Sequence, residues 1–300
     1  MFKIAWSNLY CHPLPENHRF PMEKYNLLPA QLLYEGTIDS SQLLSPMAIS
    51  DELILMAHTS DYLHKLNNLS LTPMEIRKTG FPLSDTLIHR EKVIMQGTIL
   101  AAANAVKDGI AFNIAGGTHH AFTNRGEGFC LLNDIALAAH YLLKNNFAKQ
   151  ILVIDLDVHQ GNGTAEIFQN DASVFTFSMH GKKNYPLLKE LSDLDVELED
   201  FTNDDAYLKI LDFNLKFLIN SVKPDFIFYQ AGVDILAEDK LGRLSITMDG
   251  CKNRDKMVLE NCRLNKIPIA VTMGGGYAPN INSIVNAHAN TFRLARDLFT

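Results

Sequence analysis

The residues best equipped for chemistry sit in one short run, Asp155-Leu156-Asp157-Val158-His159. A spacing of two in an extended chain puts all three ionisable side chains on the same side. Two carboxylates and an imidazole are hard-to-borderline donors suited to a divalent first-row metal. Asp234, in Ala231-Gly232-Val233-Asp234, offers a further carboxylate, so the expected metal set is Asp157, His159 and Asp234. Three protein ligands leave a coordination position open for water or substrate, the mark of a catalytic site. Taken alone, the run also reads as a polar loop leaving a strand. That reading is costly, because three ionisable groups closing an apolar strand must be paired or metal-bound.

Two further motifs supply the missing functions. His119-His120 follows Gly116-Gly117-Thr118. A neutral imidazole is a natural general base near pH 7, and a second one can carry positive charge or protonate a leaving amine. Each needs an orienting partner on its other ring nitrogen, and Asp155 and Asn162 are the candidates. Gly274-Gly275-Gly276-Tyr277 combines three residues without side chains with a phenol able to donate to an oxyanion. An isolated histidine pair would more often be core packing, and an isolated glycine turn says little.

What gives the four motifs weight is the elements that carry them. Short β-rich runs occur at Ile4–Trp6, Ile110–Ile114, Ile151–Asp155, Val174–Phe177, Phe226–Tyr229 and Ile267–Thr272. Helical apolar spacing occupies Val93–Val106, Leu132–Leu143, Tyr207–Val222, Asp255–Leu264 and Ile281–Leu298. Strands alternating with helices of this length predict an α/β fold, a parallel sheet sandwiched by helices. Each motif directly follows a strand, and in such a sheet the carboxyl ends of the strands share one edge, where ligands bind. Four separated motifs are therefore expected to meet in one site. Neither repeats nor linkers interrupt the chain, and residues 1–300 are expected to form a single catalytic domain.

In this order and at these separations, Gly-Gly-x-His-His-Ala, Asp-x-Asp-x-His-x-Gly-Asn-Gly, Ala-Gly-x-Asp and Gly-Gly-Gly-Tyr resemble the zinc-dependent histone deacetylase and acetylpolyamine amidohydrolase superfamily. The similarity runs from about Trp6 to Arg296, and His12-Pro13-Leu14-Pro15 with Arg19-Phe20-Pro21-Met22-Glu23-Lys24-Tyr25 resembles the class IV-like branch and its bacterial relatives. The resemblance implies an arginase/deacetylase-like fold and Zn²⁺ on Asp157, His159 and Asp234, with Fe²⁺ an alternative occupant. His119 and His120 match the catalytic pair, His120 as general base and later acid, and Tyr277 matches the residue that polarises the acyl carbonyl. Asp155 matches the partner of the first histidine and, with Ser178 and the backbone of Asp157, His159 and Met179, a structural K⁺ site. A second cation site would involve the backbone of Phe168, Asp171 and Val174. Gly128 and Phe129 match one channel wall, Tyr185 the opposite wall and Leu241 the rim, with Gly275 and Gly276 also beside the channel. Asn162 stands where the class I branch has Asp, and an amide adds no charge beside His120. The implied reaction is hydrolysis of acetyl- or longer acyl-lysine amides on proteins or peptides, with acetylpolyamines or small acylated metabolites as the alternative substrates.

Composition bounds the remaining choices. The 300 residues carry a net charge of −7, which argues against direct nucleic-acid binding and leaves a basic substrate open. No apolar stretch suggests a membrane span, the first residues do not read as a signal peptide, and a cytoplasmic location is expected. Cys11, Cys130, Cys251 and Cys262 have no CxxC spacing and are expected as reduced, packed thiols. His12, His18, His58, His89 and His140 fit no ligand spacing, His180 is a candidate channel residue, and Lys182-Lys183 reads as a solvated loop. Two rivals remain: an arginase-type guanidine hydrolase, which would need an Asp where Thr118 stands, and an inactive acyl-lysine binding module. Acyl length, the identity of the amine and oligomeric state are not legible.

Overall fold

All six apolar runs expected to be strands contribute to one sheet. The structure, a computed structural model, describes residues 2–300. The eight strands are β1 (Lys3–Ala5), β2 (Leu43–Leu44), β3 (Ile110–Asn113), β4 (Ile151–Asp155), β5 (Val174–Gly181), β6 (Leu194–Leu198), β7 (Phe226–Gln230) and β8 (Ile269–Thr272). They lie in the order β2-β1-β3-β8-β7-β4-β5-β6, and every neighbouring pair is parallel. Strands β3, β4, β7 and β8 are buried at every residue, as continuous apolar runs must be when helices cover both faces.

The helices are α1 (Lys24–Tyr34), α2 (Asp51–Ile54), α3 (Ser60–Asn67), α4 (Pro73–Thr79), α5 (Asp85–Asp108), α6 (Asp134–Lys144), α7 (Asn162–Phe168), α8 (Asp204–Val222), α9 (Met248–Asn265) and α10 (Ile281–Phe299). Two groups pack among themselves: α5 with α6 and α6 with α7, and α8, α9, α10 and α1 in succession. The long helices begin where a side chain can accept the otherwise orphaned first-turn N–H groups. Ser84, Asn133, Asn203, Thr247 and Asn280 do this for α5, α6, α8, α9 and α10. Sheet and helix layers interlock through aromatic contacts such as Phe112 on Phe292, whose ring centroids are 4.3 Å apart.

The pieces that sequence pattern overlooked are small or irregular. α1 contains Pro29, and α7 follows a loop and begins Asn-Gly. α4 is a single short helix, although its Thr72/Glu75 capping box and Pro73 at the first turn are legible start signals. β2 and β6 are the two sheet edges, and β6 carries Asp195 and Glu197 in its short span, acidic residues that suit an exposed edge.

The arrangement that matters for chemistry is β3-β8-β7-β4. These four strands carry the four motifs, and they are contiguous at the centre of the sheet. Their last residues are level: Asn113 pairs with Thr272, Thr272 with Gln230, and Gln230 with Asp155. The loops that follow therefore leave the sheet side by side.

His58 shows how the loops near this edge are tied down. It is buried, its Nδ1–H donates to the Phe122 carbonyl at 3.0 Å, and its Nε2 accepts the Asn133 N–H at 3.0 Å. Burial lowers its pKa to about 4. A histidine depressed on folding contributes stability that is present above its ordinary pKa of about 6.5 and lost as pH falls toward 4. Urea unfolding followed across that window should show wild-type protein losing up to about 3 kcal/mol more than the His58→Gln variant.

Candidate active site

From the end of β4 the chain stays buried through Ala165, so each polar group there needs a partner. Asp155 finds two. Its Oδ2 accepts His119 Nδ1–H at 2.6 Å, and its Oδ1 accepts the Asp157 N–H at 3.1 Å. Burial opposes a charge on His119, but the nearby carboxylates of Asp155 and Asp157 outweigh it and raise its pKa to about 9. The neighbouring ring behaves in the opposite way. His120 Nδ1–H donates to the Asn162 amide oxygen at 2.6 Å, which leaves the Nε2 lone pair free. Burial, followed by the charges of His119 and His159, holds His120 well below the usual histidine range. The two rings are 4.1 Å apart between centroids, so a cationic imidazole lies beside a neutral one.

Asp157, His159 and Asp234 come together as expected. Their donor atoms lie within 4.8 Å of one another, and all three residues are buried. His159 Nδ1 is 3.0 Å from both Asp157 Oδ1 and Asp234 Oδ2. The outer carboxylate oxygens are satisfied by backbone: Gly275 N–H donates to Asp157 Oδ2 at 2.8 Å and Val158 N–H to Asp234 Oδ1 at 2.9 Å. Burial and the charge of Asp157 push the pKa of Asp234 up to about 7. Burial disfavours a charged His159, yet its hydrogen bonds to the two carboxylates raise it to about 10. A proton on His159 thus relieves the two buried negative charges. A divalent cation would do so equally well and leave His159 as a neutral nitrogen donor, so the Asp₂His set fits a first-row metal by charge and by donor type. Glycine is required where the backbone closes on these groups. A Cβ on Gly275 would overlap the Asp234 carboxylate, and one on Gly232 the Asp157 carboxylate.

The sequence profile of the histone deacetylase domain matches residues 18–292, a span that contains every side chain just described. The chain belongs to the histone deacetylase family. It is 44% identical over 298 residues to an uncharacterised protein of Picosynechococcus, covering 99% of both chains. It is 32% identical over 269 residues to histone deacetylase 2 of Arabidopsis thaliana, covering 87% of this chain and 70% of that one. Its fold superposes on the crystal structure of a histone deacetylase homologue complexed with SAHA with a TM-score of 0.84 at 26% identity, covering 97% of this chain and 82% of the other.

In this family member a cleft of about 650 Å³ opens above His120 and His159, lined by Gly128, Phe129, Tyr185, Leu241 and Tyr277 among others. Gly128, Phe129, Tyr185 and Leu241, the residues expected at a channel, all border this cleft. Gly128 passes so close that a Cβ would sit 2.6 Å from His120 Cδ2. Phe129 adopts a positive φ of 67° and is held by its N–H to the Thr79 carbonyl at 2.8 Å. Tyr185 meets His120 edge to face at 4.9 Å and donates its hydroxyl to Glu127 at 2.7 Å. The Tyr277 ring is 5.9 Å from Phe129 and 6.3 Å from His159, and its hydroxyl has no hydrogen-bond partner among the described residues. Gly276 departs from expectation. A Cβ there would press on Val233 and Ile284 at 2.6 and 3.1 Å, so this glycine serves packing against α10 and not the channel.

Other expected residues fall into place less directly. Asp155 and Ser178 are opposite in register, with Met179 next along β5, but the Ser178 hydroxyl is shared with His180 Nδ1 at 2.9 Å. Around Phe168, Asp171 and Val174 the chain forms a turn in which the Phe168 and Asp171 carbonyls accept backbone N–H groups. His180 is fully buried and does not line the cleft. Burial raises the Cys130 thiol well above its ordinary value, as a packed cysteine requires. Thr118 donates its hydroxyl to Asp134 at 2.7 Å. His18 turns out to brace the channel wall, accepting no ligand role: it pairs with the Gly80 carbonyl at 2.8 Å and stacks on Phe81.

Four residues that sequence reasoning passed over support the site. Asp134 collects the N–H groups of Gly117 and Thr118 and the hydroxyl of Thr98. Gln230 joins two motif turns, donating to the Gly117 carbonyl and accepting from Thr272, both at 2.8 Å. Asp239 accepts the Tyr277 N–H at 2.6 Å. Buried Lys24 donates to the Gly274 carbonyl at 2.8 Å. Burial pulls its pKa down to about 8 against the opposing charges of Asp234, Asp157 and Asp239. Only Gln230, as the polar residue ending an apolar strand, carried a visible signal.

Metal binding at the trio must displace the proton of His159 and, at lower pH, that of Asp234, so apparent affinity should rise with pH up to about 10 and fall more steeply below about 7. Zn²⁺ titrations against a competing chelator at several pH values would check the sign, and His159→Ala should abolish the high-affinity phase.

Proposed function

We propose that residues 1–300 form one zinc-dependent catalytic domain that hydrolyses N-acyl-lysine amides of proteins or peptides. The observation that carries this reading is the asymmetry of the histidine pair beside a three-donor cluster. Zinc held by Asp157, His159 and Asp234 would supply Lewis acidity, polarising the acyl carbonyl and lowering the pKa of water. The protein's own groups account for the proton transfers. His120, neutral and with Nε2 unprotonated, takes the proton from the attacking water. As negative charge grows on the acyl oxygen, the unpartnered Tyr277 hydroxyl donates to it. His120, now protonated, passes the proton to the departing lysine nitrogen. His119 is kept cationic by Asp155 and Asp157, which stabilises the developing negative charge and discourages a second proton from residing on His120 before the reaction. Phe129 and Tyr185 form walls suited to an apolar stem, while Gly128 lets the backbone pass directly beside His120 and Tyr185.

Structural K⁺ at Asp155, Ser178 and Met179 belongs to the same proposal, as does a cytoplasmic setting. An acylated polyamine or small acylated amine fits the same chemistry, and the choice between the substrates is made at the rim and not at the metal.

A panel of acyl-lysine peptides and acetylpolyamines, assayed on zinc-loaded protein with and without a hydroxamate chelator, tests the reading. Chelator-sensitive hydrolysis is expected, and zinc-loaded protein inert on the whole panel would favour a binding module. Tyr277→Phe should lower kcat by ~10²–10³. In Asn162→Asp a carboxylate replaces the amide beside His120, raising the imidazole pKa. The acid limb of the kcat/KM profile, below pH 6.5 in the wild type, should therefore move to higher pH in that variant.

A further inference from the structure

The cleft above His120 and His159 is ringed by cations. Arg19, Arg77, Lys78, Lys183, Lys240 and Arg243 line it, whereas Glu127 is the one carboxylate side chain that does so. All six are exposed. They come from four separate segments: the stretch before α1, the end of α4, the loop after β5 and the loop after β7. The ring is therefore a property of the mouth as a whole and not of one basic helix.

Pairing does not neutralise it. Lys78 shares Glu127 with Arg125, at 3.4 and 2.9 Å, and the other oxygen of Glu127 is taken by Tyr185. Lys183 and Arg243 share Asp200 at 3.6 and 2.9 Å. Arg19, Arg77 and Lys240 form no ion pair among the described residues. Asp239, close by, is buried and turned to the backbone N–H groups of Leu241, Gly242 and Tyr277. Glu16 and Glu23 line an adjoining groove, which Arg19 and Lys240 border as well, and not the cleft itself. This concentration of positive charge stands on a chain whose net charge is −7, so the acidic surplus lies elsewhere and does not draw a basic tail to the mouth.

We infer that the cleft selects acyl-lysine in an acidic sequence context and disfavours Lys/Arg-rich tails and polyamines. The inference rests on the reading of the site as an acyl-lysine hydrolase. A cleft lined by one sign of charge concentrates ligands of the opposite sign, and the effect reaches about one Debye length, ~8 Å at physiological salt. That reach covers the residues flanking an acyl-lysine whose side chain occupies the channel. Because the cations surround the cleft, an extended peptide with carboxylates on both sides of the acyl-lysine meets several of them at once. A compact anionic amine would meet only one or two.

The test uses three peptides of equal length with the same acyl-lysine, flanked by Asp/Glu, by Ser/Gly or by Lys/Arg, on the zinc-loaded full chain. kcat/KM should fall in that order, with a span on the order of 10- to 100-fold at low salt. The difference should reside in KM and shrink as NaCl is raised. The double variant Arg77→Glu, Lys240→Glu should bring the acidic-to-neutral ratio toward one, with an unchanged thermal midpoint verifying that it folds. Hydrolysis of all three peptides at equal kcat/KM would overturn the charge inference and leave the hydrolase reading intact, as would a preference for the basic peptide. Hydrolysis of none would overturn the reading of the site itself. If the peptides are equivalent and the protein sediments with phosphatidylserine vesicles, the ring serves a membrane surface instead.

Discussion

Two carboxylates buried side by side, Asp157 and Asp234, set the terms for everything around them. Removing one such charge from water without compensation costs many kcal/mol, and placing two within reach of one imidazole is tolerable only with a shared cation or proton. The surroundings meet that demand in detail. Backbone N–H groups of Gly275 and Val158 are aimed at the outer oxygens, and glycines at 232 and 275 allow the chain to come close enough. Lys24, although buried, adds positive charge from behind the glycine loop. The helices and the apolar sheet hold these groups in place, since a buried charge cluster is only as well defined as the scaffold that prevents it from rehydrating.

The same electrostatic field divides the labour between two adjacent and chemically identical side chains. His119 and His120 share a backbone, a degree of burial and nearly the same position, but one faces a carboxylate and the other an amide. The carboxylate fixes a charge, and the amide fixes a tautomer without fixing a charge. Exchange of a single oxygen-bearing group thus decides which ring is a standing cation and which can accept a proton. Proximity adds to the contrast, because a cationic His119 at 4.1 Å makes a second charge on His120 less favourable.

Much of this is legible in the residue pattern itself. Period-two spacing marked Asp155, Asp157 and His159, and the sequel of each motif to an apolar strand located all of them on one edge. Boundaries of the central strands came out well because strands buried on both faces announce themselves as unbroken apolar runs. The edges did not: β2 has two residues, and β6 interrupts its pattern with Asp195 and Glu197. Support residues such as Asp134, Asp239 and Lys24 were missed for a different reason. Their role depends on which backbone groups the tertiary fold leaves bare, and spacing along the chain carries no trace of that. Net charge is silent in the same way, since a sum over all residues says nothing about where the cations gather. Gly276 illustrates a subtler limit: three consecutive glycines look equivalent as letters, yet one closes on a carboxylate and another on Val233.

The placement of β8 has a temporal consequence. The strand begins at Ile269, the last of the eight in sequence order, yet it lies between β3 and β7 in the middle of the sheet. A chain emerging from the ribosome has β3 and β4 available early but nothing to bridge them until β7 and then β8 arrive. The sheet interior, and the glycine loop that seats the Asp157 carboxylate, are therefore completed last. Pairings this distant in sequence are slow to form, and until they do the nascent protein displays unpaired strand edges and half of a charge cluster. The catalytic edge is thereby tied to pairing between strands far apart in sequence, β3 with β8 above all, and not to any contiguous stretch of chain.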